Sequence, residues 1–349
     1  MHELSVPVSP QEVFLASLRM RQAVLQALDD ALSEDEAVIL LGEDIAVAGG
    51  PFKCTDGLLK KYGADRVIDT PISEMGFMGA AVGAAACGLR PVVEIMFIEF
   101  IGVALDQLTT QAATLRYLSR GRLTAPLVMR ASVGAGQGFS CQHSQILDHW
   151  FRGTPGLKLC MPSGSRTAYG LLRAAIDDPD PVIVLEPRIL YGEHEDFALD
   201  RNFRLPLGSA EVARHGSEVT LVAVGAMTPV ALKAAKRAAA DIEVIDLLSL
   251  WPWDKATISA SLTRTCRLVT LEESTRGAGW GGDVVATLAS EYFGSFKAPP
   301  HRITLPDAPI PYAGELEAQY VPSPEYVAAQ VDALVARGAA PPPWWREAV

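Results

Sequence analysis

At 349 residues the chain is too long for one ordinary core, and 49% hydrophobic against 20% charged residues is the balance of a soluble globular protein, so two α/β domains are expected. A formal net charge of -11 disfavours nucleic acid and an anionic membrane surface as partners, since either would be repelled. An acidic face for a basic protein partner suits that charge better.

In chain order, Val24, Leu25, Leu28 and Leu32 recur at helical spacing within Met20 to Leu32, and Val38 to Leu41 is a short apolar run, which predicts a helix and then a buried strand. Further buried strands are predicted at Val92 to Phe97, Ala125 to Arg130, Leu157 to Met161 and Pro181 to Glu186, with helices at Ala104 to Tyr117 and Ser165 to Asp177 between some of them. Strand alternating with helix implies a parallel, doubly wound sheet. Between Pro187 and Gly208 the pattern lapses into polar residues, which divides the chain into domains of about residues 1–200 and 201–349. The second unit reads strand Val219 to Val224, helix Pro229 to Ala239, strand Glu243 to Asp246, helix Trp253 to Leu262, strand Arg267 to Thr270 and helix Gly282 to Tyr292. The tail carries Pro341, Pro342, Pro343, Trp344 and Trp345, where proline rules out helix and the indoles suit either docking on a partner or local cover.

Five scattered cysteines without a CxxC pair indicate neither a disulfide framework nor a zinc site, and a reducing cytoplasm is the expected compartment. No basic start followed by an apolar run marks an export signal, and the most apolar stretch, Gly76 to Leu89, is too short to span a bilayer.

Two residues carry candidate chemistry. Glu74 stands beside Ile72 and Met75 at the start of a small-residue helix. It is either a desolvated carboxylate that holds its proton tightly or an acid favoured by the helix macrodipole, and spacing alone favours the second reading. Gly76, Gly79 and Gly83 in that helix each give up about 1 kcal/mol of propensity, which implies a close approach, either by a partner subunit or within the domain. His143 lies in Gln142-His143-Ser144-Gln145 just after a glycine run, where an imidazole either shuttles protons or is structural. The glycine run itself, Gly134 to Gly138, departs from GxGxxG and lacks the lysine of a P-loop, so nucleotide binding is rejected there. His2, His194, His215 and His301 read as surface residues.

Longer strings now carry a family resemblance. GEDIAVAGGPFKCTDGL at Gly42 to Leu58, DTPISEMGF from Asp69, GLRPVVEIMFIEF at Gly88 to Phe100, Asp106-Gln107, the QHSQ box, PGLKLCMPS at Pro155 to Ser163, DPDPVIVLEPRILY, VAVGAM and VIDLLSLWPWD together resemble beta subunits of the thiamine-diphosphate-dependent decarboxylase component of 2-oxo acid dehydrogenases, over about residues 20–330. The resemblance implies a pyrimidine-binding domain followed by a transketolase C-terminal-like domain. It implies thiamine diphosphate at a subunit interface, with the diphosphate and magnesium held by the GDG motif of an alpha subunit. Gly281-Gly282-Asp283 is the nearest string here and lacks the rest of that motif. By position, Glu74 corresponds to the acid that hydrogen-bonds the aminopyrimidine, Phe100 to the aromatic residue that packs on it, and Glu43, Ile72 and Met96 to other pocket residues. His143 corresponds to a histidine on the thiazolium side that assists acyl transfer. Some members hold potassium with backbone carbonyls near positions matching Leu127, Ala175, Asp178 and Asp180.

What the resemblance implies is an α2β2 enzyme that decarboxylates a 2-oxo acid and passes the acyl group to lipoyl-lysine of an acyltransferase core. Pyruvate leads as substrate; EIMFIEFIGV resembles the acetoin-cleaving branch, and branched-chain 2-oxo acids come third. A split transketolase would need a basic cluster that is not visible near Phe139 to Gln145, and a noncatalytic docking subunit would have no use for Glu74, Phe100 and His143 together.

Overall fold

The computed structural model describes residues 14–343 and 345, so His2 and Trp344 lie outside the described residues. The elements of the first half are β1 (Phe14–Arg19), α1 (Met20–Glu34), β2 (Val38–Gly42), α2 (Leu58–Tyr62), β3 (Val67–Asp69), α3 (Glu74–Ala86), β4 (Arg90–Phe97), α4 (Ala113–Leu118), β5 (Val128–Val133), α5 (His149–Arg152), β6 (Lys158–Cys160), α6 (Ser165–Asp177), β7 (Val182–Pro187) and β8 (His194–Leu199). Six of these strands form one parallel sheet in the order β6-β7-β5-β4-β2-β3, and Ser249–Trp251 from the second half adds an antiparallel strand beside β6. β2, β5 and β7 are buried at every residue, as a parallel sheet covered by helices on both faces requires. One cover is α1, whose Met20, Val24, Leu28 and Leu32 face inward and which packs against α6.

The second half carries β9 (Glu211–Arg214), β10 (Val219–Ala223), α7 (Met227–Ala235), β11 (Ile242–Asp246), β12 (Ser249–Trp251), α8 (Lys255–Thr265), β13 (Leu268–Thr275), α9 (Gly281–Tyr292), β14 (His301–Leu305), α10 (Gly314–Tyr320) and α11 (Pro324–Arg337). Its sheet runs β14-β13-β10-β11-β9, parallel except for β9. Among the described residues no helix is long and apolar enough to cross a membrane.

Three expectations need correction. The segment read as one helix over Ala104 to Tyr117 winds as a π-helix over Gln107–Ala112 before α4, because Thr109 and Thr114 hydroxyls donate to the carbonyls of Leu105 (3.0 Å) and Thr110 (2.5 Å), four residues back, and loosen the α ladder. The polar lapse after Pro187 is not structureless: β8 pairs with β1 in a separate antiparallel ribbon. His301 is half-buried at the start of β14, and burial holds its imidazole below the usual histidine value.

The first sheet also contains a charged core. Arg130 on β5 takes both carboxylate oxygens of Glu186 on β7, at 2.9 and 2.6 Å, and pairs with Glu94 on β4; the Tyr191 hydroxyl donates to Glu186 at 2.6 Å. One guanidinium bridges two carboxylates across three adjacent strands, and burial pushes the Glu94 carboxyl up, which favours its neutral form beside the Arg130–Glu186 pair.

Candidate active site

The strand order places a crevice. From β2 the chain passes through α2 to β3 on one side, then through α3 to β4 on the other, so the carboxyl ends of β2 and β4 flank a topological switch point. Register sets the candidates around it. Gly42 pairs with Glu94 and with Asp69, so Glu43 lies one residue beyond that line, Met96 two beyond it on β4, Ile72 in the β3–α3 turn and Glu74 at the first residue of α3. Gly42 must be glycine, because a Cβ there would come within 2.9 Å of the Glu94 carbonyl. Asp69 then ties down the loop after Glu43, accepting from the amides of Ala46 at 2.6 Å and Val47 at 3.1 Å.

Glu43 and Glu74 face each other electrostatically. Burial chiefly, then the charges of Glu74 and Asp44, push the Glu43 carboxyl above the usual carboxylate range, against the pull of the Ser73 amide. Its Oε1 is buried without a partner. Glu74 is half-buried, while Ile72 is 87% and Met75 59% exposed. The apolar neighbours expected to desolvate Glu74 therefore point away from this chain's interior, because the chain folds its turn with that face outward. The adjoining face of α3 is similarly bare. Gly79 is filled by Gln107, but a Cβ at Gly83 would meet nothing within 4 Å. Internal packing explains Gly79 and leaves Gly83 free for a neighbour.

On the β4–β5 side, the Phe97 ring meets the His143 imidazole edge-on at 4.7 Å, and Phe100 meets it at 5.6 Å. The structure thus brings Met96, Phe100 and His143 to one corner. His143 is delivered by an excursion from Gly134 to Gln145, closed at its base by Gly134 N donating to Gln145 O at 3.2 Å. Gln145 N donates to Glu99, whose carboxyl burial pushes up and whose Oε2 has no partner.

The glycine run is a nest of amides already filled by protein. Ala135 N donates to Glu273 at 2.7 Å, and Gly136 and Gly138 donate to the two oxygens of Glu317 at 2.8 and 2.9 Å. Carboxylates from β13 and α10 occupy the anion position that a phosphate would take in a nucleotide-binding loop. Gly134, Gly136 and Gly138 all have positive φ, which such a nest demands. Beyond it, a cavity of about 550 Å³ opens between the halves, lined in part by Cys141, Ser144, Asp148, Glu273 and Tyr320.

The residues matched to a potassium site sit elsewhere. Leu127 O accepts from Val182 N at 2.9 Å and Ala175 O from Asp178 N at 3.3 Å; Lys158 donates to both oxygens of Asp178 at 2.8 and 2.6 Å, and Arg116 pairs with Asp180 at 2.6 Å. Asp283 of the Gly281-Gly282-Asp283 string is likewise engaged, by Arg152 at 2.5 Å at the start of α9.

The fold and this edge are those of a transketolase-type chain. The family described as transketolase, pyrimidine binding domain matches residues 16–193, and the transketolase C-terminal domain matches residues 208–327. A solved split-gene transketolase, an inactive beta4 tetramer, shares the fold with a TM-score of 0.75 at 24% identity, over 92% of this chain and all of that one. The chain is 44% identical to a mitochondrial pyruvate dehydrogenase E1 component subunit beta-2 of Oryza sativa subsp. japonica, covering 91% of this chain and 84% of that protein. It is 41% identical to the pyruvate dehydrogenase E1 component subunit beta of Rhizobium meliloti (95% and 72% covered) and to the 2-oxoisovalerate dehydrogenase subunit beta of Pseudomonas aeruginosa (90% and 94% covered). The chain belongs to the 2-oxo acid dehydrogenase E1 beta subunit family.

The residues present fit an aminopyrimidine. A flat heterocycle bearing N–H donors would satisfy the orphaned Glu43 oxygen and reach Glu74, while Ile72, Met96 and Phe100 offer apolar surface to its faces.

Proposed function

We propose that this chain is the beta half of an α2β2 enzyme that oxidatively decarboxylates a 2-oxo acid, pyruvate first, and acylates lipoyl-lysine of an acyltransferase core. The observation that carries the reading is the Glu43–Glu74 pair at the carboxyl end of β2, with an unpartnered buried carboxylate oxygen and an outward apolar face beside it, while Phe100 and His143 meet beyond the end of the neighbouring strand β4. Pyruvate is favoured by the names of the rice and Rhizobium relatives.

Thiamine diphosphate, when bound with magnesium on alpha-subunit ligands, supplies the electron sink for decarboxylation. Glu74 would share a proton with a ring nitrogen of the pyrimidine, beside Glu43, whose own carboxyl is pushed up chiefly by burial. Phe100 orients the ring and excludes water. His143 donates a proton to the departing thiolate as the dithiolane opens and the acyl–sulfur bond forms. The exposed Ile72, Met75 and Gly83 surface becomes the alpha contact, which completes the desolvation that this chain alone leaves unfinished. The five free cysteines support a reducing compartment such as the cytoplasm.

Reconstitution tests the proposal. The chain alone should release no CO2 from pyruvate, and addition of the alpha subunit with thiamine diphosphate and magnesium should restore turnover with an artificial electron acceptor. Turnover by the chain alone, or none with alpha and any 2-oxo acid, would sink the proposal.

A further inference from the structure

Arg188 carries an unusual buried charge. It is 1% exposed, among the described residues it makes no ion pair, and its hydrogen bonds go to neutral oxygens. Its Nε has no partner at all. A buried guanidinium with no carboxylate at ion-pair distance is costly, even with the charges of Glu99, Glu273 and Glu317 nearby, and folding alone is served as well by an apolar side chain of similar volume. Its contacts show what it is kept for.

Nη2 donates to the carbonyl of Gly134 at 2.8 Å and to the carbonyl of His143 at 2.5 Å. The Phe139 ring lies 4.5 Å from the guanidinium carbon, and the Phe97 ring 5.2 Å. Arg188 therefore holds the excursion at its start, its middle and the histidine itself, and it also holds the aromatic ring on which the imidazole rests. Nη1 reaches the Ser132 hydroxyl at 3.3 Å, which in turn donates to the Met96 carbonyl at 2.6 Å. The same side chain thus ties the His143 loop to the strand end that carries Met96 and leads to Phe100. The planar fork suits this task, since it spans two carbonyls and still stacks on rings, which an ammonium does not do.

We propose that Arg188 is a positioning residue for His143: by clamping the Gly134 and His143 carbonyls and the Phe139 and Phe97 rings, it fixes the imidazole for acyl transfer. The inference rests on the reading of His143 given above. Arg188 touches neither substrate nor cofactor in this account and acts through the loop.

The test is a double-mutant cycle in the assembled alpha–beta enzyme, with Arg188→Met, Arg188→Lys and His143→Ala. Two rates are measured for each: decarboxylation with an artificial electron acceptor, and acylation of free lipoamide. Arg188→Met should lower kcat for lipoamide acylation at least tenfold more than it lowers the acceptor rate. In the His143→Ala background it should lower acylation less than twofold further, because the group it positions is already gone. Arg188→Lys should recover part of the loss in wild-type background only. Should Arg188→Met fail to assemble, Arg188→Lys carries the same cycle with a smaller expected loss. Losses that multiply in the double variant, or an Arg188 variant with unchanged acylation, would overturn the inference. If His143→Ala spares both rates, the reading of His143 itself fails, and an Arg188 loss seen there would overturn the positioning role separately.

Discussion

Replacing Glu273 with glutamine should make the protein more stable at pH 8 and remove part of its pH dependence. Glu273 is buried where β13 meets the glycine loop; burial, more than the amide bond from Ala135 and the Arg188 charge oppose, pushes its carboxyl up to about 7. In the unfolded chain the same group titrates near 4.5. Between those values the folded protein holds a proton that the unfolded chain has released, so stability falls as pH rises from about 4.5 through about 7. A shift of that size corresponds to roughly 3 kcal/mol at 1.36 kcal/mol per unit. Glutamine keeps the oxygen that accepts from Ala135 and carries no charge, but its amide N–H₂ needs partners, at a cost of about 1 kcal/mol. The net expectation is a gain of about 2 kcal/mol at pH 8 that shrinks to about zero at pH 5. Urea unfolding of both proteins at pH 5, 6, 7 and 8 measures this. Asp246, pushed to about 7 by its own burial, still titrates in the variant, so the slope should shrink without vanishing. Parallel curves across that range would refute the reasoning.

Glu74→Gln should leave fold and subunit assembly unchanged while turnover of the assembled enzyme falls on the order of a hundredfold or more, as expected for loss of one preorganised electrostatic partner. Near wild-type rates would restore Glu74 to a helix-start residue. Gly83→Leu should fold normally, even gaining about 1 kcal/mol of helix propensity, because its own chain leaves the space open, yet it should fail to co-purify with the alpha subunit. Retained assembly would show that the bare face of α3 is not a contact.

The alternation of buried runs with helical periodicity was legible because strands covered on both faces must be apolar throughout; Ser165 to Asp177 was read to the residue. α11 went unread even though Ser323 caps it, Pro324 opens it and Gly338 ends it with positive φ. Those signals are local, and they stand just before a proline-rich tail whose composition argues against helix. The π-helical turn could not be seen, since it depends on which carbonyl two threonine hydroxyls reach. At the site, Glu74 and His143 stood out by neighbours in sequence, whereas Glu43, Met96 and Phe100 entered only through family resemblance. Arg188, Glu273 and Glu317 carried no signal, because what makes them matter is distance in sequence. Arg188 meets loop atoms 45 and 54 positions away, and the two carboxylates come from the other half to fill the amide nest of the glycine run.

The central claim is that this chain supplies the pyrimidine side of an active site that another subunit completes. Isothermal titration of thiamine diphosphate with magnesium into the purified chain, and into the chain assembled with its alpha subunit, tests that claim most directly. The account predicts no saturable heat at micromolar concentrations for the chain alone and clear micromolar binding for the assembly, lost on alpha removal. Micromolar binding to the isolated chain would contradict it.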